Sequence, residues 1–313
     1  MGEMGERADG RAGVVSSCST QSIRLPRYHP RSTFLPEPVR ERVQQAGLAR
    51  PRMNIQAPSP NGPIGIVAAL HEEISELLTL LSDARRVRIG SRDFWQGELD
   101  GRAVVVVLSR IGKVAAATTA AVLVTQFGVR AVVFAGVAGA LASQVAVGDV
   151  VVSTELLQHD VDASPLFPRW EIPLTGVARF QADPALVQGL LESARTTLGD
   201  PCALLGRRVM EAFGIAAPQA HTGLVISGDR FVATSAESRM LKDALPDALA
   251  VEMEGAAVAQ VCHEWGVPFA AIRTISDRAD DAASVDFSAF ISEVDSRYSV
   301  AILRRWLSGT HSA

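Results

Sequence analysis

Short apolar runs alternate with longer segments of helical character along the chain from residue 64 onward. Four of the apolar runs have the length and character of strands buried in a parallel sheet, and they lie at residues 64–70, 131–135, 248–251 and 269–275. Three longer segments have helical character, and they lie at residues 72–81, 114–127 and 183–198. The alternation predicts an α/β fold in which helices cover both faces of a sheet.

Two further patterns predict how the chain turns. The segment 94–108 has the signature of a β-hairpin, with Asp100 and Gly101 as its turn. After the strand predicted at 131–135, Gly136 and Gly139 predict a glycine-rich turn that permits close approach of the backbone to a ligand. This spacing is not specific, because it also occurs wherever a helix packs tightly on a sheet.

Carboxylates stand where three of the predicted strands end. Glu73 lies in the first turn of the helix that follows the first strand, where the helix dipole favours the ionised form. Glu254 follows the strand at 248–251, and Asp277 follows the strand at 269–275. Ligands of α/β sheets bind at the carboxyl ends of the strands, so these three groups are candidates for chemistry in one pocket.

Each carboxylate also has a purely structural explanation. Glu73 is equally well a partner of the helix dipole. Asp277 fits an N-cap or a turn former after its strand. For Glu254 the structural explanation is weaker. Burial of a carboxylate in an apolar stretch costs several kcal/mol unless the group is paired or takes part in chemistry. A purely structural explanation for all three carboxylates together is less plausible than such an explanation for any one of them.

Residues 1–60 differ in kind from the rest of the chain. They are rich in Arg, Pro, Ser and Gly, and they contain little apolar periodicity. Their acidic residues argue against an organelle-targeting peptide. We interpret this segment as a disordered or mis-assigned extension, with Met53 as a plausible start, and residues 61–313 as a single catalytic domain.

Composition indicates which kinds of partner and which compartment to expect. The net charge of −4 and the isoelectric point near 5.9 argue against nucleic acid. No window has the roughly 18 uninterrupted apolar residues of a membrane helix. The 3 cysteines form no CxxC pair and no zinc-like spacing, which favours a reducing compartment, the cytoplasm.

The chain from residue 64 to about 304 resembles the 5′-methylthioadenosine/S-adenosylhomocysteine nucleosidases of the purine nucleoside phosphorylase superfamily. The segments that carry the resemblance occur in the family's order, and they are 64–74 (IGIVAALHEEI), 109–116 (SRIGKVAA), 135–141 (AGVAGAL), 147–153 (VGDVVVS), 159–162 (HDVD), 227–232 (SGDRFV), 251–257 (VEMEGAA) and 273–277 (RTISD). The resemblance implies a three-layer α/β/α domain with a central mixed sheet, hydrolysis of 5′-substituted adenosines to release adenine, and neither a metal nor a cofactor.

The resemblance also implies roles for the carboxylates and their neighbours. Asp277 matches the acid that donates a proton to N7 of adenine, and Ser276 assists it. Glu73 matches the base that activates water, with Arg273 beside it to hold the water and orient Glu73. Glu254 matches the ligand of the ribose hydroxyls, and Met253 packs under the sugar.

The remaining implied positions surround the base and the 5′ group. They are Phe231 and Val232 for adenine, Ile111 and Phe287 for the 5′ slot, and Ala138 and Gly139 of the glycine-rich segment. In the family a neighbouring subunit completes the slot, so residues 165–176 predict a homodimer. Taken without the resemblance, Phe231 is equally well a core residue.

Two positions depart from the family pattern. Val137 stands where the family has a serine that helps to hold the nucleophilic water, and Arg110 places a cation near the ribose end of the pocket. The arginines that bind phosphate in related phosphorylases have no counterpart here, which favours water as the nucleophile. Arg110 is a cation that leaves phosphate as the alternative nucleophile. The alternatives are hydrolysis or phosphorolysis of another adenosyl nucleoside, or a non-catalytic nucleoside-binding relative.

Overall fold

A computed structural model describes residues 61–279 and 287–309, all of which fall in one compact unit, Arg52–Ala313. The interpretation of residues 1–60 as an extension lies outside the described residues. Within the described part of the chain, no helix is long and apolar enough to cross a membrane.

In the described part of the chain, ten strands form one sheet. They are β1 Ile64–Ala68, β2 Ser82–Ile89, β3 Arg92–Leu99, β4 Arg102–Leu108, β5 Ala131–Ala140, β6 Val150–Gln158, β7 Arg179–Gln181, β8 Ala220–Ser227, β9 Ala248–Glu252 and β10 Phe269–Asp277. The central strands consist largely of buried Val, Ile and Ala, as the apolar runs predict.

The helices pack on both faces of this sheet. They are α1 His71–Thr79, α2 Lys113–Phe127, α3 Pro184–Thr197, α4 Pro201–Leu205, α5 Arg207–Ala212, α6 Ser235–Ala244, α7 Gly255–Trp265, α8 Phe287–Phe290 and α9 Ser296–Gly309, with a π-helical turn, Ile291–Asp295, between the last two. Helices α1, α3 and α9 share the core on one face, and α2 and α7 share the core on the other. This confirms the predicted α/β fold with a central mixed sheet.

The strand pairing brings the predicted site together. Strands β1, β5 and β10 run parallel and adjacent, so their carboxyl ends meet at one edge. Strand β9 runs antiparallel to the end of β5, pairing Val251 with Gly139. Because β5 pairs with both β9 and β10, and β6 and β8 link these two strands, part of the sheet closes into a ring.

Three local predictions are corrected and one is confirmed. Asp100 and Gly101 have φ angles of 49° and 76° and join β3 to β4, as the hairpin signature predicts. The helix predicted at 72–81 ends at Thr79, and strand β2 follows where none was predicted. The glycine segment forms no turn, since β5 continues to Ala140 while paired with β10.

Candidate active site

A cavity of about 650 Å³, including its open mouth, lies where β1, β5, β9 and β10 end. This reaction cavity is lined by every predicted site residue except Arg273, and the full lining is Ala69, Leu70, Glu73, Ile111, Val137, Ala138, Gly139, Arg230, Phe231, Val232, Val251, Glu252, Met253, Glu254, Ser276, Asp277 and Phe287. Its size suits a nucleoside. Residues from distant parts of the chain therefore converge on one apolar pocket with three carboxylates predicted for chemistry.

Glu73 projects into the cavity from the first turn of α1 and is 3% exposed. Its Oε2 accepts hydrogen bonds from the backbone N–H groups of Ala69 and Leu70, both at 2.8 Å. Burial, followed by the charge of Asp295, raises the pKa of Glu73 to about 8. The first turn of a helix favours the ionised form, but desolvation outweighs this effect and raises the pKa of Glu73.

The glycine segment makes room for two of the carboxylates. A Cβ atom on Gly136, where φ is 152°, would lie 2.7 Å from Oε1 of Glu73. A Cβ atom on Gly139 would lie 2.8 Å from Oδ1 of Asp277. Both distances are shorter than a side chain tolerates, so the GxxG spacing here permits close approach of strand β5 to the acids.

Asp295 is a buried carboxylate that the sequence analysis missed. It closes the π-helical turn, which packs against α1, β5 and β10, and it is 0% exposed. Ser299 donates a hydrogen bond to Oδ1 at 3.2 Å, and the side chain of Thr274 is a further hydrogen-bond partner of this carboxyl group. Burial raises the pKa of Asp295 to about 6, and its charge acts on Glu73. Single turns of π-helix often occur at functional sites, but sequence periodicity does not signal them.

Replacing Asp295 by Asn is expected to lower the pKa of Glu73. The predicted role of Glu73 as a base requires that it lose its proton, so this role predicts that the acidic limb of the profile of kcat/KM against pH reports that pKa. The groups that face Glu73 electrostatically are Asp295 and Arg273. Removal of the negative charge makes ionisation easier, so the acidic limb should move to lower pH by about one pH unit.

The control for this measurement is Ser299→Ala, which removes the hydrogen bond to Asp295 but keeps its charge. We expect the Ser299→Ala limb to stay near that of the wild type. An unmoved limb in Asp295→Asn would show that Asp295 does not act on the base.

Arg273 is placed differently from the prediction. Its Nη2 pairs with Oε2 of Glu252 at 2.7 Å, and its Nη1 donates to the carbonyl oxygens of Phe134 and Ile272. Its guanidinium lies 4.1 Å from the centre of the Phe134 ring. Arg273 forms no hydrogen bond to Glu73, so it does not orient that carboxylate directly, but its positive charge opposes the rise in the pKa of Glu73.

Glu252, the first acid of the Val-Glu-Met-Glu segment, forms structural contacts. Besides Arg273, it accepts hydrogen bonds from the hydroxyl of Ser227 and from the backbone N–H groups of Glu254 and Gly255. It therefore neutralises Arg273 and satisfies the start of α7. No local pattern marks Glu252 for this role, because its partners Ser227 and Arg273 are distant in sequence.

Glu254 is the acid of this segment that remains for a ligand. Its Oε1 accepts a hydrogen bond from the backbone N–H of Gly112 at 2.7 Å, and its side chain borders the cavity beside Met253. Burial, followed by the charge of Glu252, raises the pKa of Glu254 to about 7. The carboxyl group is thus placed to accept hydrogen bonds from hydroxyl groups in the cavity.

Asp277 lies at the end of β10, on the opposite side of Gly139 from Val251. Ser276 donates its hydroxyl hydrogen to Oδ2 at 2.7 Å, and the N–H of Ala279 donates to Oδ1 at 2.7 Å. These contacts fix the orientation of the carboxyl group at one end of the cavity.

Apolar side chains form the mouth of the cavity. The rings of Phe231 and Phe287 meet edge to face with 5.9 Å between their centres. Phe231 is 43% exposed, which excludes its alternative reading as a core residue, and Ile111 is also exposed. Val232 is buried beneath them. Exposed apolar groups of this kind suit a flat apolar ligand.

The two aspartates of the segment His159-Asp160-Val161-Asp162 stabilise loops through hydrogen bonds. Asp160 pairs with Nζ of Lys113 at 2.5 Å and accepts a hydrogen bond from the N–H of Asp229. Asp162 accepts hydrogen bonds from the backbone and the side chain of Ser164. Among the described residues, no group of three or more His, Cys, Asp or Glu side chains is arranged to hold a metal ion.

Comparison with known proteins gives consistent matches. The profile of the phosphorylase superfamily matches residues 63–307. The 5′-methylthioadenosine/S-adenosylhomocysteine nucleosidase of Actinobacillus succinogenes is 38% identical over 230 residues, covering 73% of this chain and 91% of that protein.

Solved structures are similar over the same region. The 5′-methylthioadenosine/S-adenosylhomocysteine nucleosidase of Neisseria meningitidis, in complex with methylthio-immucillin-A, has a TM-score of 0.69 and 32% identity, covering 79% of this chain and 99% of that one. The futalosine hydrolase of Helicobacter pylori has a TM-score of 0.67 and 31% identity, covering 80% of this chain and 98% of that one.

Proposed function

The chain belongs to the 5′-methylthioadenosine/S-adenosylhomocysteine nucleosidase family of the phosphorylase superfamily, and we propose that the carboxylates of its reaction cavity divide the catalytic work. The protein is a hydrolase of N-glycosidic bonds that releases adenine from 5′-substituted adenosines. The observation that carries the division of roles is the convergence of Glu73, Glu254 and Asp277 on one apolar cavity.

Cleavage requires an acid and a base at opposite ends of the scissile bond. As the bond between N9 of adenine and C1′ of ribose breaks, negative charge develops on the base and positive charge on the sugar. Asp277 donates a proton to N7, which neutralises the leaving adenine. Glu73 takes a proton from water while the water oxygen bonds to C1′.

The other side chains hold the substrate for this step. Glu254 accepts hydrogen bonds from the ribose hydroxyls, and Met253 packs against the sugar. Phe231 and Val232 cover the adenine, whose approach to the sheet is open because Ala138 and Gly139 carry little or no side chain. Ile111 and Phe287 border the 5′ substituent. Hydrolysis is tested by adenine release from methylthioadenosine and adenosylhomocysteine.

Water is favoured over phosphate as the nucleophile because few arginine side chains reach the cavity to bind a phosphate. Among the described lining residues the only arginine is Arg230, whose guanidinium is exposed and paired with Glu237. Arg110 does not line the reaction cavity and donates instead to the carbonyl of Ser91 at 2.8 Å. A non-catalytic relative is disfavoured because all three carboxylates are retained. Similarity to a futalosine hydrolase supports a nucleoside with a different 5′ substituent as the second candidate substrate.

Replacing Val137 by Ser is expected to raise turnover of methylthioadenosine. Val137 lines the cavity next to Gly136 and presents no polar atom to the water that Glu73 activates. One added hydrogen bond is worth about 0.5–1.5 kcal/mol, or up to roughly tenfold in rate. The control is Val137→Ala, which reduces the size of the side chain without adding a hydroxyl. Lower turnover in Val137→Ser would instead make Val137 part of the pocket for a different 5′ group.

The protein is proposed to be a homodimer in which residues 165–176 complete the pocket of the neighbouring subunit. Support comes from the exposed apolar side chains Leu166 and Leu174 in this segment, and from Ile111 and Val114 beside the cavity. Exposed apolar groups mark interaction surfaces when they cluster.

Sedimentation is expected to give a dimer, and Leu166→Asp is expected to weaken both dimerisation and substrate binding. The control is Met240→Asp, which places a charge on an equally exposed methionine of α6. A monomeric wild-type protein would contradict the proposal.

We place the enzyme in the cytoplasm, in keeping with Cys202 and Cys262, which are free cysteines.

A further inference from the structure

The carboxyl group of Glu254 is held in the reaction cavity by a backbone group from a distant part of the chain. The N–H of Gly112, the residue before α2, donates to Oε1 of Glu254 at 2.7 Å. Gly112 has a φ angle of 97°, in the left-handed region that favours glycine. Glycine has no side chain with which to fix this turn, so the position of its N–H depends on the residues around it.

Asp229 holds the next N–H group of the same turn. Its Oδ1 accepts a hydrogen bond at 2.7 Å from the backbone N–H of Lys113, the first residue of α2. The first N–H groups of a helix have no partner within the helix, and Gly112 supplies no capping side chain. A Cβ atom on Gly112 would lie 3.2 Å from Oδ1 of Asp229, so the glycine leaves room for this contact. Asp229 therefore caps α2 from a distant part of the chain and fixes the turn that carries Gly112.

Asp160 binds both partners of that contact. Its Oδ1 pairs with Nζ of Lys113 at 2.5 Å, and its Oδ2 accepts a hydrogen bond from the N–H of Asp229 at 2.9 Å. Burial raises the pKa of Asp160, but the hydrogen bonds from Lys113 and Asp229 lower it below its ordinary value, so this carboxylate is charged at neutral pH. Lys113, Asp160 and Asp229 thus form a closed ring of three contacts, which we call the Lys113 network.

The Lys113 network lies outside the space that a substrate occupies. The described residues that line the reaction cavity include Glu254 but none of the three members of the network. Its influence on a bound nucleoside therefore passes through the residues that it holds in place. Among these, Gly112 makes a direct contact with a carboxyl group of the cavity.

The hydrogen bond from Gly112 favours the form of Glu254 that binds hydroxyl groups. Burial and the charge of Glu252 raise the pKa of Glu254, and the hydrogen bond from Gly112 opposes this rise. A carboxylate accepts hydrogen bonds at both oxygens, whereas a protonated acid donates from one of them. Functional groups also need to be held within about 0.5 Å of their working position by the residues around them. Movement of the Gly112 turn away from Glu254 would therefore weaken the contact of this carboxylate with the ribose.

We propose that the Lys113 network positions Glu254 for the ribose hydroxyls, so that Asp229 and Asp160 are positioning residues for the reaction. This inference rests on the proposed function, in which Glu254 accepts hydrogen bonds from those hydroxyls. Loss of the network should weaken the part of substrate recognition that the hydroxyls supply and leave recognition of the adenine and the 5′ group in place.

The test measures kcat/KM on methylthioadenosine and on its 2′,3′-dideoxy analogue, which keeps the adenine, the scissile bond and the 5′ group but lacks both hydroxyls. Asp229→Ala removes the acceptor of the Lys113 N–H, whereas Asp229→Asn keeps an acceptor in the carbonyl oxygen of its amide. Asp160→Ala removes the other two contacts of the network. The matched control is Asp243→Ala, which removes a carboxylate from an exposed position of α6.

We expect Asp229→Ala and Asp160→Ala to lower kcat/KM on methylthioadenosine about tenfold and to leave the dideoxy analogue within about twofold of the wild type. Asp229→Asn and Asp243→Ala should leave both substrates within about twofold. Equal losses on the two substrates would indicate a general effect on the fold or on the adenine site and would overturn the inference. An unchanged kcat/KM in Asp229→Ala or Asp160→Ala, or a loss in Asp229→Asn as large as in Asp229→Ala, would overturn it as well.

Glu254→Ala on the same two substrates separates this inference from the proposed function. We expect this variant to lower kcat/KM on methylthioadenosine and to leave the dideoxy analogue nearly unchanged. If Glu254→Ala shows this pattern and Asp229→Ala does not, the inference alone fails. If Glu254→Ala lowers kcat/KM equally on both substrates, the proposed role of Glu254 fails, and the inference fails with it.

A wild-type protein that releases adenine from neither nucleoside would contradict the proposed hydrolysis. Calorimetric dissociation constants of the same two nucleosides then take the place of kcat/KM. Weaker binding of methylthioadenosine to Asp229→Ala, with unchanged binding of the dideoxy analogue, would support the positioning role, and equal changes for the two nucleosides would overturn it.

Discussion

Asp277→Asn should lower turnover by about 10²–10⁴-fold on every adenosyl substrate. Asn matches Asp in size and retains hydrogen bonding, but it has no acidic proton to give to N7 of adenine. The N–H of Ala279 can still donate to the carbonyl oxygen of an Asn side chain, and the Asn amide can donate to the hydroxyl oxygen of Ser276, so the geometry of the cavity should persist. The measurement is the steady-state release of adenine.

The matched control is Asp243→Asn, the same chemical change at an exposed position of α6. We expect it to retain wild-type turnover and melting temperature. Near-normal turnover in Asp277→Asn itself would assign proton donation to another group.

Glu73→Gln should abolish hydrolysis while nucleoside binding stays measurable by calorimetry. The base acts on the water and not on the substrate, so its removal raises the barrier of the chemical step and leaves ground-state binding nearly unchanged. A Gln carbonyl can still accept the hydrogen bonds from Ala69 and Leu70, which keeps the start of α1 in place. We expect a loss of about 10²–10⁴-fold in kcat.

Glu76→Gln is the control for Glu73→Gln, because Glu76 is exposed on the same helix. It should leave both turnover and binding unchanged. If Glu73→Gln lost the fold and nucleoside binding together, Glu73 would be a structural partner of the helix dipole and not a base.

Much of the fold follows from local patterns in the sequence. Continuous apolar runs are stable only where both faces are covered, so they locate the central strands, and their carboxyl ends locate Glu73, Glu254 and Asp277. The Asp100-Gly101 pair determines its hairpin through local backbone preference alone. These signals are contained in a few neighbouring residues, which is why they can be read without the structure.

Strand β2 and the extension of β5 have no such local signal. The sequence Ser-Asp-Ala-Arg-Arg-Val-Arg-Ile of β2 is mostly exposed and lacks apolar alternation, so it becomes a strand through pairing with β3. Gly136 and Gly139 weaken an isolated strand, but here β5 pairs with β10 along this stretch. Tertiary pairing decides both cases.

The electrostatics of the site also depend on long-range contacts. Asp295 lies 222 positions after Glu73 in the numbering, yet its charge contributes to the high pKa of Glu73. Arg273 is neutralised by Glu252, a pairing that no spacing rule identifies. The sequence therefore predicts candidate residues for the chemistry, while the raised pKa of Glu73 depends on burial and on the charge of a residue distant in sequence.

The central claim is that water cleaves the N-glycosidic bond of 5′-substituted adenosines in the reaction cavity. The most direct measurement is adenine release from methylthioadenosine and adenosylhomocysteine by the purified protein, with and without inorganic phosphate, together with identification of the sugar product. We predict phosphate-independent release of adenine and a free reducing sugar. Release that requires phosphate and yields a sugar 1-phosphate, or no release of adenine from either nucleoside, would contradict the claim.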